Sequence, residues 1–343
     1  MSTEARWQTS SAGEEAVARW WRGELGVWGH LLHALLTPAE TLFRLAVWLR
    51  NGAYNAGFLS AARVQLCVVS VGNLVVGGTG KTPISSWLID ELARRGHRPA
   101  LLHGGYADDE PALHRIWHPD VPVFAVRDRV ESARRALACG STVVVVDDGF
   151  QYRRLEKDLE ILLLAVETWT RRPRLLPRGP WRETPSTAVQ RADLILVTRK
   201  TGSSERAQEV VQLLRAIAPE TPIASVFIRP LGFRRADGAE GRPPGNVLAV
   251  AGVAQPELFA ENARTVGADV TEVLVFPDHH EYSMVDAERI RFTAAGRAVV
   301  TTAKDHVKLG ALLPHTDLWI LEQRVEVEMG GEAIARALDD LNR

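Results

Sequence analysis

Gly77-Gly78-Thr79-Gly80-Lys81-Thr82 sets a lysine and a hydroxyl directly behind a glycine-rich turn. Glycines there let backbone N–H groups curl around phosphate oxygens. A helix starting at the same point adds partial positive charge. In that geometry Lys81 bridges the β- and γ-phosphates of ATP, and the Thr82 hydroxyl ligates Mg²⁺. The strict spacing wants a further glycine five residues before Gly80, but Val75 stands there. The loop is a variant in which Gly77 and Gly78 supply the turn. A glycine-rich turn that merely precedes Lys-Thr is the plainer alternative, and the flanking elements argue against it.

Four more groups could do chemistry. Thr142 to Val146 ends in Asp147-Asp148-Gly149-Phe150-Gln151, a buried strand that delivers carboxylates at its C-terminal end. That is the Walker-B arrangement, which holds Mg²⁺ directly or through water; either aspartate could be the contact. Asp108-Asp109-Glu110 follows the strand Pro99 to Leu102 and could serve metal or proton transfer, although an isolated acidic loop is usually only solvated. Asp278-His279-His280-Glu281 suggests metal or acid–base chemistry, although a lone His pair in a loop is more often structural, and no His or Cys partners at zinc spacing accompany it. Arg178-Gly179-Pro180-Trp181-Arg182 is a rigid basic turn that could clamp an anionic substrate or equally be a solvated loop.

The elements that must position these groups are legible around them. Gln65 to Val71 reads as a short buried strand. Ile84, Trp87, Leu88 and Leu92 repeat at helical spacing, and Arg94-Arg95-Gly96 ends that helix with a basic turn and a glycine stop. Strand, glycine loop and helix form the context a phosphate loop needs. Thr301 to Leu309, after the strand Ala298 to Val300, suggests by itself only a strand-to-helix turn.

With 343 residues, 46% hydrophobic and 24% charged, the chain suits two α/β domains with a sizeable core. Net charge is −1, so nothing global points to nucleic acid. Cys67 and Cys139 lie in or beside apolar runs and read as buried thiols in a reducing compartment. The first 18 residues carry three Glu and lack the pattern of a signal peptide, and no spanning helix is expected. Five of the ten Trp fall in the first 48 residues: Trp7, Trp20, Trp21, Trp28 and Trp48. Thr37-Pro38-Ala39-Glu40 reads as a capping box opening an amphipathic helix over 37–59, with Leu42, Leu45, Ala46 and Leu49 on its apolar face. Such a helix could lie in a membrane interface or pack on its own domain.

Taken in order, these motifs resemble the tetraacyldisaccharide 4′-kinase family, the lipid A 4′-kinases. The matching segments are SVGNLVVGGTGKTP (Ser70 to Pro83), GY with DEP (Gly105 to Pro111) and DDGFQ-x-RRL-x-x-DL (Asp147 to Leu159). LLP-x-GP-x-RE (Leu175 to Glu183), AGVAQPELF (Ala251 to Phe259), FPDHHEY (Phe276 to Tyr282) and TT-x-KD-x-VKL (Thr301 to Leu309) complete the set. The resemblance implies an α/β fold: a P-loop NTPase-like α/β/α domain plus a smaller α/β/α domain joined by a two-stranded ribbon. On this chain that divides into an N-terminal region 1–60, a P-loop kinase domain 61–224, a linker strand 225–245, a second domain 246–319 and a return strand with C-terminal helix 320–343. Ser225 to Ala236 and Ile320 to Val327 are the expected ribbon strands.

The resemblance also implies the reaction. The ATP γ-phosphoryl group goes to the 4′-hydroxyl of an acylated glucosamine disaccharide 1-phosphate. The place is the cytoplasmic face of a bacterial inner membrane, with the N-terminal helix on the membrane surface. The family's catalytic Asp falls on Asp109 and its acidic Mg²⁺ neighbour on Glu110. The assisting His falls on His279 or His280, with the preference given to His280. Gln151, Arg178 and Arg182 are the candidate acceptor contacts, Lys81 neutralises the transferring group, and a monomer is expected.

Four positions depart from the family pattern. His103-Gly104 replaces its usual Ser-Arg, and Ala107 and Asp108 replace a longer insert. Tyr152 stands for its usual His, and Ala303 for its Glu. Two competing readings remain at this stage: a diverged homologue that binds nucleotide without transfer, and a P-loop NTPase that switches a partner protein.

Overall fold

The computed structural model describes residues 16–17, 19–21, 23–105, 108–253 and 255–342. Trp7, Tyr106 and Ala107 lie outside the described residues, as does the rest of 1–15. In chain order the elements are α1 (Gly26–Leu35), α2 (Thr37–Asn55), β1 (Cys67–Asn73), α3 (Lys81–Arg94), β2 (Pro99–His103), α4 (Asp109–Trp117), β3 (Val123–Ala125), α5 (Arg129–Ala138), β4 (Val143–Asp147) and β5 (Leu159–Ala165). There follow α6 (Pro185–Ala188), β6 (Leu194–Arg199), α7 (Ser204–Ile217), β7 (Ile223–Arg235), β8 (Glu240–Gly241), β9 (Asn246–Ala251), α8 (Pro256–Thr265), β10 (Asp269–Val275), α9 (Met284–Ala294), β11 (Ala298–Thr302), α10 (Ala303–Leu309), β12 (Leu318–Met329) and α11 (Gly331–Asp339).

These strands join in one sheet of order β10-β9-β11-β12-β7-β6-β5-β1-β4-β2-β3, with β8 beside β7. Strands β1, β4, β5 and β6 pair in parallel and are apolar almost throughout, because helices cover both faces of such a sheet. Strands β9, β10 and β11 form a second parallel group. Two long strands connect the groups: β7 and β12 pair antiparallel from Trp319↔Arg235 to Met329↔Ser225. One core packs Ile84, Leu88 and Leu92 of α3 against Val69, Val71, Val143 and Val145. A separate core around Val247, Ala249, Phe259 and Val300 fills the second group.

The N-terminal helices differ from the sequence expectation. Thr37 is not an N-cap: Leu36 holds that place, only one residue after α1, and the Thr37 hydroxyl donates to His33 O at 2.9 Å. Glu40 does not reach back to its own helix start. Its carboxylate is buried and accepts the Leu175 N–H at 2.9 Å and Arg178 Nη1 at 2.7 Å. The capping box fails because a stronger partner, a backbone donor and a guanidinium from a distant loop, claims the Glu. Phe43 of α2 packs on the core, but most other apolar residues of α1 and α2 face outward; Trp28 is 75% exposed and Trp48 65%. No described helix is long and apolar enough to cross a membrane.

The cysteine reading is corrected in part. Cys139 is exposed, because it sits at the C-cap of α5 rather than inside an apolar element. Cys67 is half-buried, and burial raises its thiol pKa.

Candidate active site

The phosphate loop leaves the C-terminal end of β1 and enters α3, at the edge where open α/β sheets bind ligands. Val75 is buried and bridges Trp181, while the Val76 N–H donates to Pro180 O at 2.8 Å. The chain is therefore still extended at Val75 and needs no glycine there. The turn begins at Gly77, with φ 117°, and closes at Gly80, with φ 90°. Gly80 is the N-cap of α3, and a Cβ there would strike Ile228. Asn73 Nδ2 donates to Thr79 Oγ1 at 2.5 Å, and Lys200 Nζ donates to Gly78 O at 3.0 Å, so both flanks of the loop are tied. Lys81 and Thr82 open the first turn of α3.

The carboxylates converge beside this loop. Lys81 Nζ lies 3.8 Å from Asp148 Oδ1. Asp148 has φ 52°, which turns its side chain off the strand toward Arg182; Arg182 Nη1 reaches its two oxygens at 3.0 and 3.1 Å. Gln151 links the group to β1, with Oε1 3.3 Å from Arg182 Nη1 and Nε2 donating to Asn73 O. Asp147 is fully buried at the end of β4, and neither of its carboxylate oxygens has a hydrogen-bond partner. His114 Nε2 stands 3.8 Å away. Burial alone would push the Asp147 carboxyl up; His114, Lys81 and His103 outweigh it and hold the group below the ordinary value. An ionised, buried carboxylate with free lone pairs beside a phosphate loop fits a divalent cation.

Asp109 and Glu110 do not lie in a loop. They form the first turn of α4, and Asp109 is buried. Glu110 Oε2 accepts from His103 Nε2 at 3.1 Å, while His103 Nδ1 accepts the Gly105 N–H, which fixes the tautomer. His103, standing where the family has Ser, thus aims the Glu. Asp109 Oδ2 meets His279 Nδ1 at 2.9 Å. Lys304 and Lys308 Nζ each lie 3.6 Å from the same oxygen. Burial raises the Asp109 pKa, but His279, Lys304 and Lys308 prevail and hold it well below the usual carboxylate range.

Of the two histidines, the structure brings His279 to Asp109, and this replaces the preference for His280. A left-handed backbone at His279, φ 57°, swings its ring toward α4. His280 turns inward instead, stacks on Phe276 and pairs with Asp286 at 3.2 Å. Arg178 is likewise engaged elsewhere: Glu40 holds its guanidinium, so it ties α2 to the Leu175–Trp181 loop rather than presenting a free anion clamp.

Sequence reasoning missed several residues. Lys304 and Lys308 sit one helical turn apart on α10, a spacing visible in TTAKDHVKL once a helix is placed there. Arg129, buried at the start of α5, donates from Nη2 toward the Asp147 and Asp148 carbonyls at 3.5 and 3.4 Å. Nothing local in the sequence marks it.

Comparisons with known proteins follow the same lines. Residues 32–114 and 106–343 match the family described as Tetraacyldisaccharide-1-P 4'-kinase. The two matched segments overlap at residues 106–114, where this chain has only Ala107 and Asp108 in place of the family's longer insert. The tetraacyldisaccharide 4'-kinase of Anaeromyxobacter sp. (strain K) is 36% identical, over 96% of this chain and 95% of that protein. The one from Geobacter sulfurreducens is 34% identical over 91% of this chain and 92% of its own. The crystal structure of LpxK from Aquifex aeolicus in complex with ATP superposes with a TM-score of 0.73 at 28% identity, covering 90% of this chain and 99% of that one. With a family match across most of its length and relatives above 30% identity over nearly all of it, the chain belongs to the tetraacyldisaccharide-1-phosphate 4′-kinase family.

Proposed function

We propose that the protein transfers the γ-phosphoryl group of ATP to the 4′-hydroxyl of a tetraacylated glucosamine disaccharide 1-phosphate. The observation that carries this reading is the Asp109–His279 contact at 2.9 Å, made beside a phosphate loop by residues 170 positions apart. A nucleotide switch has no use for a carboxylate–imidazole pair built across two parallel sheet groups.

In this reading Gly77, Gly78, Thr79 and Gly80 cradle the phosphates and Lys81 spans them. Thr82, Asp147, Asp148 and Glu110 would hold Mg²⁺, with Asp147 supplying lone pairs that nothing else uses. Bound there, Mg²⁺ neutralises charge on the phosphates. Asp109 accepts or orients the proton of the 4′-hydroxyl, and His279 fixes the direction in which its carboxylate points. A carboxylate held this acidic is a weak base, which suits a loose transfer step that needs alignment more than proton abstraction. Arg182 and Gln151 keep Asp148 in place and line the acceptor side.

The exposed apolar faces of α1 and α2 support attachment to a membrane surface, where an acylated acceptor resides. Val27, Trp28, Leu31 and Leu35 on α1 and Leu42, Leu45, Trp48 and Leu49 on α2 are the inserting residues. The reading places a monomer at the cytoplasmic face of the inner membrane. Incubating the purified chain with Mg²⁺-ATP, detergent and the disaccharide 1-phosphate tests the acceptor. A second phosphate monoester on the disaccharide is expected; ATP binding without it supports the transfer-incompetent alternative.

A further inference from the structure

The reading above uses the TTAKDHVKL segment only for the charge that its two ammonium groups, on Lys304 and Lys308, bring to Asp109. Helix α10 is locked before it points anywhere. Its N-cap Thr302 accepts the Asp305 N–H at 3.0 Å. The buried Asp305 carboxylate accepts from Gly252 N–H at 3.0 Å, from the Thr302 hydroxyl at 2.7 Å and from the Tyr282 hydroxyl at 3.0 Å. One residue earlier, Lys304 projects from this rigid turn. Its Nζ lies 3.0 Å from His279 Nε2 and 3.6 Å from both Asp109 Oδ2 and Asp278 Oδ1.

That 3.0 Å contact restricts the imidazole. An ammonium carries only donors, so Nε2 must offer its lone pair. An imidazolium has none to offer. While Lys304 is bound there the ring is neutral, its proton sits on Nδ1 and Nδ1–H donates to Asp109 at 2.9 Å; Asp109 pulls the other way and raises the ring's pKa, so the imidazolium forms only as the Lys304 contact is given up. We infer that Lys304 is a positioning residue for phosphoryl transfer, holding His279 as the neutral tautomer that donates from Nδ1 to Asp109. The inference rests on the reading that Asp109 faces the acceptor.

Lys308, one turn on, has a different task. Its Nζ donates to the His279 and His280 carbonyls, both at 3.2 Å, and pairs with Glu281 at 2.8 Å. It holds the loop, whereas Lys304 holds the ring. The charged groups facing His279 are Asp109 from α4, Lys304 and Lys308 from α10, and Asp278 from its own loop. Asp109 favours the imidazolium and Lys304 disfavours it. Without Lys304 the balance tips toward the charged ring, which keeps its Nδ1–H but presents a second donor to Asp278 and to solvent.

The test compares wild type with Lys304→Met, Lys304→Arg and His279→Gln in the full chain. It measures kcat and both KM values across the neutral pH range. Lys304→Met is expected to lower kcat about 10- to 100-fold, the range for partners that orient a functional imidazole. Its KM for ATP should stay within about twofold, and its acid limb should move to higher pH. Lys304→Arg should recover most of the rate. Wild-type kcat and pH profile in Lys304→Met, alongside an impaired His279→Gln, would overturn the inference. A raised KM at unchanged kcat would also overturn it, making Lys304 an anion-binding contact. The His279 ring resonance, identified by its loss in His279→Gln, gives a readout that needs no acceptor. Its titration midpoint should rise in Lys304→Met, because the neighbouring ammonium no longer opposes the charged ring. An unmoved midpoint sinks the inference even if the acceptor is phosphorylated, while a moved midpoint with no product sinks only the functional reading.

Discussion

His279 Nδ1 lies 2.9 Å from Asp109 Oδ2, and this contact joins the loop after β10 to the first turn of α4. Neither residue could meet the other without the β7–β12 ribbon, which carries the chain out of the phosphate-loop sheet and back. The pair is thus a product of topology. It reports on how the two parallel groups sit together as much as on chemistry.

The pH dependence of stability follows from the same contact. Asp109 raises the His279 pKa above its ordinary 6.5. A raised histidine stabilises the fold below the unfolded pKa, and that contribution disappears as pH rises through the folded value. His279→Gln should therefore lose more stability at mildly acidic pH than at alkaline pH. The ring is about half exposed, so the difference is roughly 0.5–1 kcal/mol. Urea unfolding at the two pH values measures it; an equal or reversed loss contradicts the ion-pair account.

Glu40 is the buried link between α2 and the Leu175–Trp181 loop. Removing it leaves the Leu175 N–H and the Arg178 guanidinium without their acceptor. Glu40→Ala should cost roughly 2–4 kcal/mol of unfolding free energy. Denaturant titration at neutral pH checks it. A cost below about 0.5 kcal/mol, the scale of surface substitutions, would mean that the helix is not anchored there.

Vesicle flotation tests the outward faces of α1 and α2. Leu45→Glu combined with Trp48→Glu should weaken partitioning into anionic or zwitterionic vesicles about tenfold or more, since both side chains are exposed in the free protein. Thermal stability should barely change. Unaltered flotation would assign these faces to another partner.

The sequence made the phosphate loop, the aspartates at the end of β4 and the alternating strand–helix order readable, because each rests on a local pattern: glycine spacing, valine runs, helical periodicity. What it concealed was long-range. Glu40 looked like a capping residue because Thr37 stands three positions before it; only the fold supplies Leu175 and Arg178 as better partners. The choice between His279 and His280 turned on one left-handed backbone angle that neighbouring residues do not encode. Arg129, Lys304 and Lys308 were ordinary helix residues until tertiary contacts placed them on the acids.

The central claim is that Asp109 serves the acceptor and not the nucleotide. Asp109→Asn keeps the shape and removes the charge, so it separates the two roles. With wild type and variant side by side, transfer to the disaccharide 1-phosphate and the ATP dissociation constant should be measured in the same buffer. The account predicts a kcat lower by about 10²- to 10⁴-fold with ATP affinity within about threefold of wild type. Full transfer by Asp109→Asn, or a loss confined to ATP binding, would contradict it.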